Sequence, residues 1–155
     1  MTRAVVIGLA ETGSAVTRRL RAEGVEVLIL EDAPPGGERY RERVEEARAA
    51  GATLVEQPSE RATLDAVDSA DLVVPSPLVR VEHPALAAAR ARGVPVVAVA
   101  GSVGAGFEGM RDAGIERIET LASTPAERDA AMRDPLPRIE AAAARAVRAY
   151  AAASR

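Results

Sequence analysis

Short apolar runs alternate with amphipathic stretches along the whole chain, and the alternation gives the architecture. Strand-like runs, rich in Val, Ile and Leu, occupy residues 3–7, 25–30, 53–55, 72–74, 95–100 and 116–120. Between them, helical periodicity covers 13–23, 38–50, 60–69, 83–92 and 105–113. Strand–helix alternation with short connections specifies a parallel sheet covered by helices on both faces. Gly24, Gly51, Gly93 and Gly114 each follow the last turn of a helical stretch. Glycine tolerates the left-handed conformation that ends a helix, so the recurring Ala-x-Gly pattern reads as a helix stop feeding a strand.

The resulting expectation is one α/β domain over residues 1–155. It is a three-layer, doubly wound parallel sheet of Rossmann-like or flavodoxin-like type. The strand order is 3-2-1-4-5, with 116–120 as a candidate sixth strand. The tail adds a different pattern. Thr124-Pro125 opens a helix, Pro135 and Pro137 interrupt it, and a restart near Asp134 follows. Beyond Pro137, Ile139, Ala143, Ala146, Val147 and Tyr150 form one apolar stripe of a long helix. That stripe packs on its own sheet or, in a second reading, pairs two copies as a homodimer.

Composition narrows the function. A net charge of −3 and only three aromatic residues disfavour nucleic acid, and no run approaches the length of a membrane span. There is no cysteine, which removes disulfides and thiolate metal sites. A cytoplasmic protein is expected. All 20 basic residues are arginine. Without lysine there is no phosphate-loop lysine and no Schiff base.

Two glycine-rich turns follow strands and precede helices, the position at which such folds hold phosphates on backbone N–H groups. The first is Gly8-Leu9-Ala10-Glu11-Thr12-Gly13. A dinucleotide motif G-x-G-x-x-G would need glycine at position 10, and Glu11 adds negative charge, so NAD is disfavoured. Glu31 and Asp32 follow the second strand, where an acid can hold a ribose hydroxyl; alternatively they are solvated loop charges. The second turn is Gly101-Ser102-Val103-Gly104-Ala105-Gly106. Gly101, Ser102, Gly104 and Gly106 are candidates for anion binding through backbone N–H groups, or simply a strand-to-helix connection.

The remaining constellations point away from catalysis. His83, the sole histidine, precedes Pro84 at a helix start and suits a capping or packing role. Asp65, Asp68 and Asp71 recur every third residue and read as a solvated edge more readily than as metal ligands. No metal site and no catalytic residue is expected.

The first turn, Glu31-Asp32, Val73-Val74-Pro75-Ser76-Pro77, His83-Pro84 and Gly93-Val94-Pro95-Val96 together resemble the N-terminal domain of the Mur ligases. The branch is that of the UDP-N-acetylmuramoyl-alanine–D-glutamate ligases, over residues 3–96. The resemblance implies a uridine diphosphate site. Glu11, Thr12 and Gly13 would lie at the phosphates or their turn, Glu31 and Asp32 near the uridine, and Ser76 and Pro77 along the crevice. The chain departs from that family at Glu11, at Leu78 after Ser76-Pro77, and in having no lysine-bearing ATP loop. Residues 94–150, with Ala100-Gly101-Ser102-Val103-Gly104, Gly109-Met110, Ala113-Gly114-Ile115 and Thr124-Pro125, are similar to the C-terminal part of bacterial glycerate kinases. The two patterns meet at Gly93–Val97. They imply a chimeric, engineered scaffold without activity and with weak uridine nucleotide or phosphate binding. The alternatives are a natural nucleotide-binding module or an enzyme fragment completed by a partner chain.

Overall fold

The computed structural model describes residues 2–101 and 107–153. The strands are β1 (Arg3–Ile7), β2 (Glu26–Glu31), β3 (Thr53–Glu56), β4 (Leu72–Pro75), β5 (Val96–Ala100) and β6 (Ile115–Thr120). The helices are α1 (Glu11–Ala22), α2 (Glu38–Ala49), α3 (Glu60–Asp68), α4 (Pro84–Arg92), α5 (Phe107–Asp112), α6 (Pro125–Arg133) and α7 (Leu136–Ala153). All six strands lie in one sheet of order β3-β2-β1-β4-β5-β6, and every neighbouring pair is parallel. The candidate sixth strand therefore joins the sheet at its edge. The helix expected from residue 105 is described only from Phe107.

Side chains on a strand point alternately to the two faces, and both faces are apolar here. Ala4 and Val6 of β1, Val27 and Ile29 of β2, and Leu72 and Val74 of β4 face one core. That core also takes Val16 and Leu20 of α1, Val44 of α2, and Ala142, Ala143 and Ala146 of α7. Val5 and Ile7, Leu30 and Val73 face the other, against Ala66 and Val67 of α3 and Ala85, Leu86 and Ala89 of α4. This is why the central strands read as unbroken hydrophobic runs.

The four helix-closing glycines all have positive φ, from +68° at Gly93 to +91° at Gly114. The tail breaks where its prolines require. Asp134 leaves helical geometry at φ −144° and ψ 85°, and α7 restarts at Leu136. The stripe of α7 faces its own molecule: Ile139 is 3% exposed, and Val147 and Tyr150 pack against the core that α1 shares. At the edge, Val96 pairs with Ile115 but Val97 pairs with Arg117, so Glu116 is the extra residue of a bulge.

Helix α1 starts two residues earlier than its periodicity suggests, inside the glycine turn. Strand β2 runs on to Glu31, whose carbonyl accepts a hydrogen bond from the Gln57 N–H at 2.7 Å. Glu31 is thus the last residue of a strand, and at 8% exposure it is no solvated loop charge.

Candidate functional site

In a doubly wound sheet the strand order reverses between β1 and β4, and connections depart to opposite faces there. A crevice opens beyond the carboxyl ends of those strands. Here the crevice is a cleft of about 440 Å³ lined by Gly8, Leu9, Ala10, Glu31, Asp32, Tyr40, Arg43, Ser76, Leu78, Val79, Arg80 and His83 among others.

The floor is set by backbone geometry. Gly8 has φ +93°, and its N–H donates to the Leu30 carbonyl at 2.8 Å, which ties the β1 turn to β2. A side chain at Gly8 would bring Cβ to 3.0 Å from the Ser76 Cβ. Gly13 lies in the first turns of α1, and a Cβ there would sit 1.9 Å from the Gly8 carbonyl oxygen. Only glycine lets the helix approach the turn this closely.

Glu31 faces inward. Its carboxylate accepts the Leu9 N–H at 2.6 Å and the Ala33 N–H at 2.9 Å, so it organises the two loops that flank it. A buried carboxylate needs such partners, and these backbone donors satisfy both oxygens. Asp32 faces out. Its Oδ2 lies 2.7 Å from His83 Nε2, with the Asp32 side chain 55% exposed and that of His83 13%. His83 also caps α4, its Nδ1 accepting the Ala85 N–H at 3.1 Å. Both ring nitrogens are thus engaged within the protein.

Tyr40 on α2 closes one side. Its hydroxyl donates to Glu56 at 2.5 Å. Burial, and then this bond and the Glu56 charge, push the phenol up to about 12. Helix α1 points its amino end at the cleft region, and Ala10 supplies no side-chain cap. Helices α3, α4 and α6, by contrast, are capped by Ser59, His83 and Thr124. The first-turn N–H groups of α1 thus face a position where an anion is favoured.

The residues singled out from sequence divide by location. Gly8, Glu31, Asp32 and Ser76 line the cleft together. Gly13 is buried beneath it, and Thr12 is half-buried in the first turn of α1. Pro77 is exposed beside the cleft, outside its lining. Glu11 is exposed and opens onto an adjoining charged hollow of about 430 Å³ with Ser14, Arg18, Arg39 and Glu46, which shares Arg43 with the cleft. Gly101 is exposed at the end of β5, and it does not line the cleft. Ser102, Gly104 and Gly106 lie outside the described residues. Tyr40 and Arg43 were not singled out as site residues from sequence; Leu78, which departs from the family pattern, follows Ser76-Pro77 into the lining together with Val79 and Arg80. Tyr40 and Arg43 carry a usable signal, since their i, i+3 spacing puts them on one face of α2.

The aspartate series every third residue is not a cluster. Asp65 pairs with Arg61, Asp68 with Arg92, and Asp71 accepts the Arg3 N–H at 2.8 Å. Among the described residues no group of three or more His, Asp and Glu could hold a metal ion. Nor is any described helix long and apolar enough to cross a membrane.

Sheet order, two-sided helix cover and a cleft at the strand reversal define a Rossmann-like module. Residues 2–98 match the Mur ligase MurD-like N-terminal domain, and the chain belongs to that family. Residues 80–151 also match the glycerate kinase family, so the two patterns overlap across α4 and the start of β5. The UDP-N-acetylmuramoylalanine–D-glutamate ligase of Myxococcus xanthus (strain DK1622) is 39% identical over 94 residues, which are 61% of this chain and 20% of the ligase. The chain thus spans about a fifth of that relative. Among solved structures, AtPrR2 in its apo form superposes with a TM-score of 0.62 at 21% identity, covering 79% of this chain and 49% of that one. An imine reductase from Myxococcus stipitatus in complex with NADP+ gives 0.53 at 20% identity, over 80% and 42% of the two chains. At such identities these structures show the fold alone.

Proposed function

We propose that this chain is a non-catalytic nucleotide-binding module whose cleft accepts a uridine diphosphate group weakly. The observation that carries the reading is the coincidence of two facts. Gly8, Glu31, Asp32 and Ser76, which the resemblance to the Mur ligase N-terminal domain singles out, converge on one cleft, and that cleft sits at the strand reversal where such folds take nucleotides. The uncapped amino end of α1 and the Arg43 guanidinium suit a diphosphate. The outward carboxylate of Asp32 suits a donor on the nucleoside.

Weak binding follows from the same geometry. The Leu9 N–H, which belongs to the phosphate turn, is already held by Glu31. A backbone donor to a charged phosphate is worth about 1.5–3 kcal/mol, so its loss weakens binding by about tenfold or more. Absence of catalysis rests on residue types. The chain has no lysine for an ATP loop, and its one histidine is engaged at both nitrogens. The overlap of two family patterns at residues 80–98 favours an origin by fusion, in keeping with a scaffold role.

Calorimetric titration with UDP, ADP and inorganic phosphate tests the reading. The expected result is a UDP dissociation constant on the order of 0.1–1 mM, about −5.5 to −4 kcal/mol, with weaker binding of the other two. Equal binding of all three would reduce the cleft to an anion site.

A further inference from the structure

We infer that His83 is the positioning residue of the cleft, holding Asp32 so that its free carboxylate oxygen accepts a hydrogen bond from the nucleoside. The inference rests on the nucleotide reading above and assigns one recognition step within it. Three observations converge on it. His83 and Asp32 are 51 residues apart, yet Nε2 and Oδ2 stand 2.7 Å apart. They join the loop after β2 to the loop after β4, which form two rims of the same cleft. The ring itself is locked. Pro84 has no N–H, so the first amide available to His83 is that of Ala85, which donates to Nδ1 at 3.1 Å.

A ring nitrogen that accepts an N–H carries no proton, so the neutral imidazole holds its hydrogen on Nε2 and presents it to Asp32. The Asp32 carboxylate is therefore bound through Oδ2 and half exposed, with acceptor capacity on Oδ1. Its neighbour Glu31 is only 8% exposed and already holds the Leu9 and Ala33 amides, one on each oxygen. Of the two adjacent acids, Asp32 is the one able to meet a ligand. Its partner must be a donor, either the ribose hydroxyls or the imide N–H of the base. Without His83 the exposed carboxylate would rotate freely and pay ordering entropy on binding.

The variant His83→Asn separates the clasp from the cap, since asparagine caps helices well but is too short to reach Asp32. UDP, its 2′,3′-dideoxy analogue and its N3-methyl analogue serve as probes for wild type and variant. Wild type should bind UDP and disfavour one of the analogues, which identifies the hydroxyls or the imide as the donor. H83N should bind UDP roughly tenfold more weakly and lose that discrimination, as expected when a charge-assisted contact is no longer held. Asp32→Ala should do the same, and it serves if H83N fails to fold. Because His83 is the sole histidine, long-range 1H–15N spectra of the ligand-free protein report it alone. They should show the Nε2-protonated tautomer, with Nε2 shifting in D32A. Full affinity and discrimination in folded H83N, or a proton on Nδ1, would overturn the inference while leaving the nucleotide reading intact. Failure of wild type to bind UDP at all would remove both.

Discussion

The two halves of the sheet each bury one acid near a strand's carboxyl end, and they use it in opposite ways. In the N-terminal half, Glu31 closes β2 and gives its carboxylate to the backbone amides of Leu9 and Ala33. In the C-terminal half, Glu119 on β6 gives its carboxylate to arginines, Arg117 Nε at 2.6 Å and Arg145 Nε at 2.9 Å. Arg145 also donates to the Thr120 carbonyl at 2.7 Å, which fastens α7 to the edge strand. Glu31 shapes loops around a cleft; Glu119 staples a helix. An acid at a strand end is thus no guide to ligand binding until its partners are known.

The packing around the two acids differs in the same sense. The pairs β1–β2 and β2–β3 run in register for five and four residues, and α1 approaches the β1 turn as closely as glycine permits. At the junction of the two family patterns, β4 and β5 share one registered pair, Val73 with Val96, helped by the Val73 N–H to the Pro95 carbonyl at 3.0 Å. The largest expected effect of a substitution therefore lies at the tight approach. Gly13→Val should cost about 3 kcal/mol or more, because its Cβ would collide with the Gly8 carbonyl and backbone cannot yield cheaply. Thermal unfolding reads it, and an unchanged midpoint would refute the close-packing role.

Next comes Glu31→Gln. An amide can accept only one of the two N–H groups and turns its own donor toward the other, leaving a buried donor unmatched at about 1–3 kcal/mol. Hydrogen exchange at the Leu9 amide should accelerate with the loss of stability. Retained protection would mean that the carboxylate is dispensable to the turn.

Glu119→Gln should have a smaller effect, about 1 kcal/mol, since its arginines are substantially exposed and screened. Burial raises the Glu119 carboxyl, but the hydrogen bonds and charges of Arg117 and Arg145 outweigh it and hold the group below its ordinary 4.5. A lowered value in the folded state stabilises the fold above the ordinary value, and that stability is lost as pH falls through the lowered one. The gap in unfolding midpoint between wild type and Glu119→Gln should be full near neutrality and close in acid. A gap independent of pH would show that the ion pairs do not stabilise the edge.

The smallest effect concerns Tyr40. Its phenol, raised to about 12 from 10.0, keeps the fold's preference for the neutral form intact below 10.0 and loses it as pH rises toward 12. Alkaline absorbance titration in a Tyr150→Phe background isolates this group. Glu56→Gln should bring the midpoint down toward 10.0, and no movement would contradict the hydrogen bond.

These contrasts mark what the chain discloses by itself. The sheet order and the helix stops are legible because alternation and glycine placement act over a few residues. So is the break between α6 and α7, since Pro135 and Pro137 act locally on φ and on the helix hydrogen bonds. Gly8, the acid pair and Ser76, singled out together from the sequence, do line one cleft. The partners of each acid are not legible, because they are set by tertiary approach. Glu31 finds an amide 22 residues away, and Asp32 finds His83 across 51. Local pattern carries no information on which way a carboxylate turns once the loops close.

The claim that the cleft between β1 and β4 is the nucleotide site is tested most directly by mapping UDP-induced amide shifts in NMR spectra. Saturable shifts are expected at residues 8–10, 31–33 and 78–83, with the Asp32 and His83 amides among those that move most. Shifts confined to the Glu11–Arg39 hollow or to residues 101–106, or no saturable shift at millimolar UDP, would contradict it.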